Sequence, residues 1–323
     1  MTETREKLMK RVLILNDRVW ERRLSKPKID EWLANFTGKV VEVELERLHA
    51  LFWLSQFMYF GSREIRVLLK ALYRDLFLCP MINDVRTRLP SGHSDDDLMR
   101  AVTAELAHTR FLGVGNPSES GVHLLYFFRQ ENVLAKAQFM DAAQIFERKN
   151  ATMRILRKPG IRRYVFLDDI CGSGDTATNY STTILSELLL LAPNVKASYY
   201  SLFASAEGLK QVREGTLFGS ASGAVYELDE TYKSLSPHSR YFTTTEYPEI
   251  DRATACSIAT VYGDLLDPAY SPGYKNSQLL LGFHHNTPDN TLGIIWAEDV
   301  PATGSKPWSP IFKRYPKIYG ASA

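Results

Sequence analysis

Very little in this sequence commits it to a membrane, an oxidising compartment or a polyanionic partner. Cysteine is scarce: Cys79, Cys171 and Cys256 are odd in number and far apart. They form neither a disulfide framework nor a metal-ligand spacing, which fits a reducing cytoplasm. Long apolar runs are missing too. Runs such as Leu188 to Ala192 and Leu279 to Gly282 fall far short of the roughly 20 residues that span a bilayer. The opening run MTETREKLMKRVLIL carries charges but neither a long apolar stretch nor a small-residue cleavage site, so a secretory signal is not expected. Net charge is almost absent, +2 from 39 basic and 37 acidic residues. No global field therefore draws the chain to nucleic acid or membrane, and any basic patch must be local. Internal repeats and low-complexity segments are absent.

What is present suits a globular protein, with 45% apolar and 24% charged residues in 323, enough for one large domain or two modest ones. Residues 1 to 104 are expected to form a helical region. Ile29, Trp32, Leu33 and Phe36 recur at helical spacing, as do Leu45, Leu48, Leu51, Phe52, Leu54 and Phe57, and then Ile65, Leu68, Leu69 and Leu72. Pro80 is expected to end that last helix, and Asp95-Asp96-Asp97 to open another that runs to His108. From 105 to 323 strands and helices alternate. Arg110–Val114, Tyr164–Leu167, Lys196–Phe203, Ala224–Leu228 and Leu279–Phe283 read as strands, and Ala177–Leu191 and Glu207–Arg213 as helices. This alternation predicts a parallel sheet of α/β type, flanked by helices.

The strongest motif is Tyr164 to Thr178, YVFLDDICGSGDTAT. A four-residue apolar strand runs into two adjacent acids, Asp168 and Asp169. A loop of small residues follows, Gly172-Ser173-Gly174-Asp175-Thr176, and then a helix begins. Such a loop can turn successive backbone N–H groups inward around an anion, and the free N–H groups of the helix start add to that field. Ser173 and Thr176 bring hydroxyl donors. The acids lie where a sugar attached to that phosphate would sit, and they can accept from a pair of ribose hydroxyls, directly or through Mg²⁺. They are expected to be exposed and so removable without unfolding the chain. The competing reading is an ordinary strand-to-helix turn with its N-cap.

This run resembles the phosphoribosyltransferase ligand motif, without insertion from Val165 to Thr176. The resemblance implies that Asp168 and Asp169 are the catalytic acids and face the ribose and metal. It also implies that Gly172, Ser173, Gly174, Asp175 and Thr176 cradle the 5-phosphate. In the purine-salvage branch the first small loop position is often an acid acting as general base. Here it is Gly172, which disfavours simple purine salvage.

A second resemblance covers most of residues 25–315. The segment Gly282-Phe283-His284-His285-Asn286-Thr287-Pro288-Asp289-Asn290-Thr291-Leu292, ending near Trp296, is similar to the divergent phosphoribosyltransferases of bacterial conflict systems, the PRTase-CE family. So are the helix with Ile29, Trp32, Leu33 and Phe36, the Ser120-Gly121 loop before a helix carrying Tyr126, and the segment Trp308 to Arg314. The resemblance implies a phosphoribosyltransferase-like sheet in 105–323 and a retron-type anti-phage effector. It implies phosphoribosyl pyrophosphate, or a nucleotide with the same ribose 5-phosphate part, as ligand with Mg²⁺. The suggested partner is a reverse transcriptase with its RNA–DNA product, and the acceptor a nucleotide or nucleic acid. A nucleotide-sensing subunit without chemistry and a nucleotide glycosidase remain open, as does a homo-oligomer.

His284, His285, Asn286, Asp289 and Asn290 are candidates for reading a base edge or moving a proton. The alternative is an Asx-rich turn that satisfies its own backbone. Because both loops follow apolar strands, and strand–helix alternation gathers such loops on one edge of the sheet, the His284–Asn290 loop is expected to approach Asp168–Thr176 and close the ligand pocket. The stretch Ser118–Gly121 is a candidate pyrophosphate loop. Two basic runs each read as a polyanion-attracting patch or as a solvated helix face. One is Arg18, Arg22, Arg23, Lys26 and Lys28 with Trp20 interleaved. The other is Arg154, Arg157, Lys158, Arg162 and Arg163. Cys171 reads as a packing residue.

Overall fold

A computed structural model describes residues 1–115, 120–151, 153–243, 246–298 and 307–315. The chain begins with helices α1 (Thr2–Arg18), α2 (Lys26–Leu33) and α3 (Val43–Gln56), then strand β1 (Met58–Phe60) and helix α4 (Ser62–Ala71). The cap of α2 is Ser25, whose hydroxyl accepts from the Lys28 N–H at 3.3 Å, with a proline in the first turn. A π-helical stretch, Leu72–Leu78, joins α4 to α5 (Cys79–Arg88). The helix therefore does not end at Pro80 as expected. In the widened turn Cys79 N–H bonds the Arg74 carbonyl five residues back, and Pro80 falls in the first turn of α5, where it needs no N–H partner. Helix α6 (Asp95–Ala107) opens on a reciprocal capping box between Ser94 and Asp97.

Next come β2 (Thr109–Gly113), α7 (Ser120–Glu131), a hairpin of β3 (Phe146–Arg148) and β4 (Arg154–Leu156), and β5 (Arg163–Cys171). The helix after β5 runs as α8 (Asp175–Tyr180), a π-helical stretch and α9 (Ser186–Leu191). Then follow β6 (Lys196–Ser205), α10 (Ala206–Gly215), β7 (Ser222–Leu228), α11 (Arg252–Leu266), β8 (Leu281–Phe283) and α12 (Gly293–Trp296).

The chain forms two compact units, residues 66–228 and the pair of segments 1–65 and 229–323. Helices α5 and α6, with most of α4, thus group with the main sheet and not with α1 to α3, unlike a division at residue 105. In the contiguous unit, the described residues form a four-stranded parallel sheet in the order β2-β5-β6-β7. Phe139 adds a parallel bridge outside β2, against Phe111. Strand β5 is therefore central, as expected from its unbroken apolar run: parallel strands covered on both faces need no polar alternation. One face is buried by Leu185, Leu188, Leu209, Val212 and Phe218 packing around Phe166 and Tyr199. On β2, Phe111 packs against Phe77 and Phe128.

The discontinuous unit is built on aromatic packing. Trp20, Trp32, Phe36, Phe52 and Trp53 are buried, and Phe57 stacks on Phe312 with centroids 4.5 Å apart. Strand β8 pairs in parallel with β1 in this unit. It does not extend the four-stranded sheet, so the argument that the loop after it shares that sheet's edge loses its basis. Glu46, fully buried, accepts from the N–H groups of Gly38 and Val40 at 2.7 Å each and from the Tyr262 hydroxyl at 2.5 Å. One side chain thus pins a loop and α11 to α3. Replacing Glu46→Ala should lower the unfolding free energy by about 2–4 kcal/mol, because several buried donors lose their acceptor. Denaturant titration followed by tryptophan fluorescence checks this, and an unchanged midpoint would refute it.

Candidate functional site

The residues of the Asp168–Thr176 motif lie at the carboxyl end of β5. Counting outward from Phe139, the strand order reverses between β2 and β5. In an open α/β sheet a ligand crevice forms at that switch point. Asp168 and Asp169 lie inside β5, which continues to Cys171. They are 8% and 7% exposed, which corrects the expectation of exposed carboxylates. Asp168 Oδ2 accepts from the Tyr199 hydroxyl at 2.8 Å and Oδ1 from the Asp169 N–H at 2.9 Å. Asp169 Oδ1 accepts from the Ile170 N–H at 2.9 Å. Burial, and then the neighbouring charge of Asp169, push the Asp168 carboxyl well above its usual range. Burial likewise raises the Tyr199 hydroxyl and takes the Cys171 thiol to about 12, with the Asp168 charge adding to both. Cys171 is therefore no thiolate nucleophile at neutral pH, in keeping with its reading as a packing residue.

The turn after β5 depends on close backbone approach. Gly174 adopts φ +80° as the N-cap of α8, and a Cβ there would stand 2.9 Å from the Gly208 carbonyl oxygen. A Cβ on Gly208 would stand 2.3 Å from the Gly172 carbonyl oxygen. Ser205, at the end of β6, caps α10 by accepting the Gly208 N–H at 2.8 Å and donates to the Gly172 carbonyl at 2.5 Å. The loops after β5 and β6 thus interlock. On the other side the Tyr180 hydroxyl donates to the Gly115 carbonyl at 2.8 Å, tying α8 to the turn after β2. Ser173 donates to Asp175 at 2.8 Å, while Asp175 and Thr176 are exposed at the helix start. Gly174, as N-cap, has no side chain to offer that start, and the Ser173 hydroxyl accepts from the Asp175 N–H at 3.4 Å. A cavity of about 240 Å³ beside the end of β2 is lined by Gly113, Leu125, Lys136, Phe139, Met140 and Asp141.

The structure brings Asp168, Asp169, Gly172, Ser173, Gly174, Asp175 and Thr176 together. Ser120 and Gly121 begin α7, the helix after β2. Ser118 and Glu119 of the candidate pyrophosphate loop lie outside the described residues. Sequence reasoning missed Tyr199, Tyr180, Ser205 and Gly208. Only the pair Ser205 and Gly208 left a trace, a serine before a helix with a small residue three positions on.

The candidate loop after β8 belongs to the other unit, where Asn286, Asp289 and Asn290 bond within that unit. Asn286 Oδ1 accepts from the Thr287 and Tyr315 N–H groups at 3.0 Å each. Arg314 bonds the Thr287 carbonyl at 2.9 Å and Asp289 at 2.8 Å. Asn290 is buried and donates to Ser277 at 2.9 Å. The His285 ring stacks on Phe283, and His284 meets His285 edge-on. The N-terminal basic run is also engaged. Arg18 and Arg22 pair with Asp17, and Arg23 with Glu21. Trp20 is 1% exposed in the core, not an aromatic on a docking surface.

A helix-flanked parallel sheet with two acids and a small-residue turn at its switch point is what a phosphoribosyltransferase-like fold presents. The family model PRTase-CE matches residues 29–314, and the chain belongs to that family. Among solved structures it is similar to Helicobacter pylori xanthine-guanine-hypoxanthine phosphoribosyltransferase, at 14% identity over 42% of this chain and 84% of that one, with a TM-score of 0.21. No curated protein matches it.

Two outcomes follow from this geometry. A carboxyl raised in the folded state contributes stability below its unfolded pKa and loses it as pH rises through the folded value. Asp168→Asn, which cannot ionise, should therefore gain in melting temperature relative to the parent as pH goes from 4 to 8. A difference independent of pH would contradict it. Gly208→Ala should cost about 1–3 kcal/mol, since the added methyl drives the Gly172 carbonyl outward; thermal unfolding at pH 7 reads this out.

Proposed function

We propose that the protein is a phosphoribosyltransferase-like enzyme. Its ligand would be phosphoribosyl pyrophosphate, or a nucleotide sharing the ribose 5-phosphate part, in the crevice between the ends of β2 and β5. The observation that carries this is the Gly172–Thr176 turn, which begins three residues after two acids, interlocks with α10 and opens a helix. In this reading the turn's N–H groups and the Ser173 and Thr176 hydroxyls hold the 5-phosphate, and Asp168 and Asp169 hold the ribose hydroxyls. The two adjacent carboxylates suit Mg²⁺, which takes one or two carboxylates together with ligand phosphates and water. No described group of three or more His, Cys, Asp or Glu stands ready to cage a metal, so the ion would enter with its ligand. When bound it neutralises pyrophosphate. In transfer, the bond from ribose C1 to pyrophosphate breaks and the leaving group keeps the electron pair. C1 then bonds an acceptor nitrogen or oxygen, which gives up a proton. The residues around C1 stabilise positive charge there electrostatically, with no covalent intermediate on the protein.

The resemblance to conflict-system proteins supports an effector role in anti-phage defence of the retron type, with a reverse transcriptase and its RNA–DNA product as partner. A second reading is a nucleotide-binding subunit without turnover. It is favoured by one observation: Asp168 is buried and already bonded at both oxygens.

Isothermal titration with phosphoribosyl pyrophosphate, with and without Mg²⁺, should show binding that Mg²⁺ strengthens. The pair Asp168→Asn and Asp169→Asn should weaken it at least about tenfold, the loss of about one charge-assisted contact. Mass spectrometry of the nucleotide pool after expression then separates the readings: altered nucleotides mark an enzyme, and binding without change marks a sensor. Failure to bind either phosphoribosyl pyrophosphate or a nucleoside 5′-monophosphate would refute both.

A further inference from the structure

The segment from Arg148 to Arg163, RKNATMRILRKPGIRR, holds seven cations and no acid. The whole chain carries +2, so the rest carries −5 against this segment's +7. The structure does not make it a helix face, one of the two readings the sequence allows. It is the hairpin of β3 and β4, followed by a loop into β5.

Two of the cations have settled partners. Arg163 is ion-paired with Asp84 and, at 2.6 Å, with Glu105. Arg154 pairs with Glu187 at 2.8 Å. Arg157 and Arg162 have only loose partners, at 3.8 Å and 3.7 Å. Arg148, Lys149 and Lys158 are exposed and have no ion pair among the described residues. Register sharpens the point. Arg148 stands directly opposite Arg154 across the antiparallel ladder, and like charges in that position repel. An anion beside the hairpin relieves that repulsion. A multivalent anion relieves it for several residues at once and gains counterion release in doing so.

The hairpin is remote from the candidate site. It rests on α9 through Arg154 and Glu187, and Glu187 lies twelve residues beyond Asp175, about 18 Å along the helix from the phosphate turn. Its exposed surface is cationic apart from Glu147 on β3, with little apolar area, Met153 being half-exposed. That favours a phosphodiester backbone over a lipid surface, where an apolar face would insert.

We propose that the β3–β4 hairpin and its basic flanks form a nucleic-acid docking surface, separate from the ribose-phosphate site, that grips the phosphate backbone through Arg148, Lys149, Arg157 and Lys158. Contacts of this kind position a protein on nucleic acid without reading sequence. This inference does not depend on the enzymatic reading.

The test is fluorescence anisotropy of the full chain with labelled single-stranded DNA, duplex DNA and RNA of mixed sequence. With three to four phosphate contacts, affinity for at least one of them should fall roughly a hundredfold between 50 and 200 mM salt. The variant Arg148→Glu, Lys149→Glu, Lys158→Glu should abolish binding at 50 mM salt. Glutamate keeps a charge on the strand edges and so preserves their protection against aggregation. Alanine at the same three positions, for use if the glutamate variant misfolds, should reduce the log–log salt slope by about 2 to 3. Three results would overturn the proposal. One is no binding to any nucleic acid at 50 mM salt. Another is binding that the substitutions leave unchanged. The last is association with phosphatidylserine vesicles and not with nucleic acid.

Discussion

The contiguous unit is organised around an ionisable group held in the wrong place for its charge. Asp168 sits inside the central strand of a sheet covered on both faces, where a carboxylate is costly. The Tyr199 hydroxyl from the neighbouring strand and the next residue's own N–H meet its two oxygens. The arrangement requires β5 and β6 to be in register at this level, with Asp168 opposite Ser201. It also places the turn after β5 beside the start of α10, where Gly172, Gly174, Ser205 and Gly208 fit only at van der Waals or hydrogen-bond distance. The shape of the phosphate turn is therefore imposed from the strand beneath and the helix beside it. The turn's own sequence does not impose it alone.

Local sequence made much of the order of elements legible, and it marked out the turn after β5. The run Tyr164–Leu167 is apolar without interruption because it is sandwiched, and its acids and glycines stand in one continuous string of residues. Relations across the chain were not legible. Tyr199 lies in the run from Ala197 to Phe203, where one aromatic looks like another, and nothing local says that its hydroxyl meets a carboxyl thirty-one residues earlier. Strand β8 looked like a further strand of the main sheet because its short apolar run carries no mark of its partner, β1. The burial of the two acids was hidden because a carboxylate after an apolar run looks like the end of the strand. Here the ladder continues past it to Cys171. Trp20 misled in the opposite direction: surrounded by arginines in sequence, it points into the core while they point to solvent.

The hairpin and the turn after β5 are two ways of presenting positive potential. The turn does it with backbone N–H groups and a helix start, which carry partial charges in fixed positions and suit one small anion. The hairpin does it with long side chains of full charge, several of them weakly paired. That suits an extended anion of no particular sequence.

The unit formed by 1–65 and 229–323 is interrupted by a complete second unit, and this shapes the order in which the protein can be made. During synthesis the residues of the first segment emerge before those they must pack against. Trp20 waits for Phe312, and Phe36 for Tyr262 and Trp308. Chains of this size fold unit by unit as they leave the ribosome. The continuous stretch 66–228 can close first. Helices α1 and α2 and the aromatics that follow them must meanwhile persist as an exposed, aggregation-prone half-core until Tyr262, Trp308 and Phe312 have been translated.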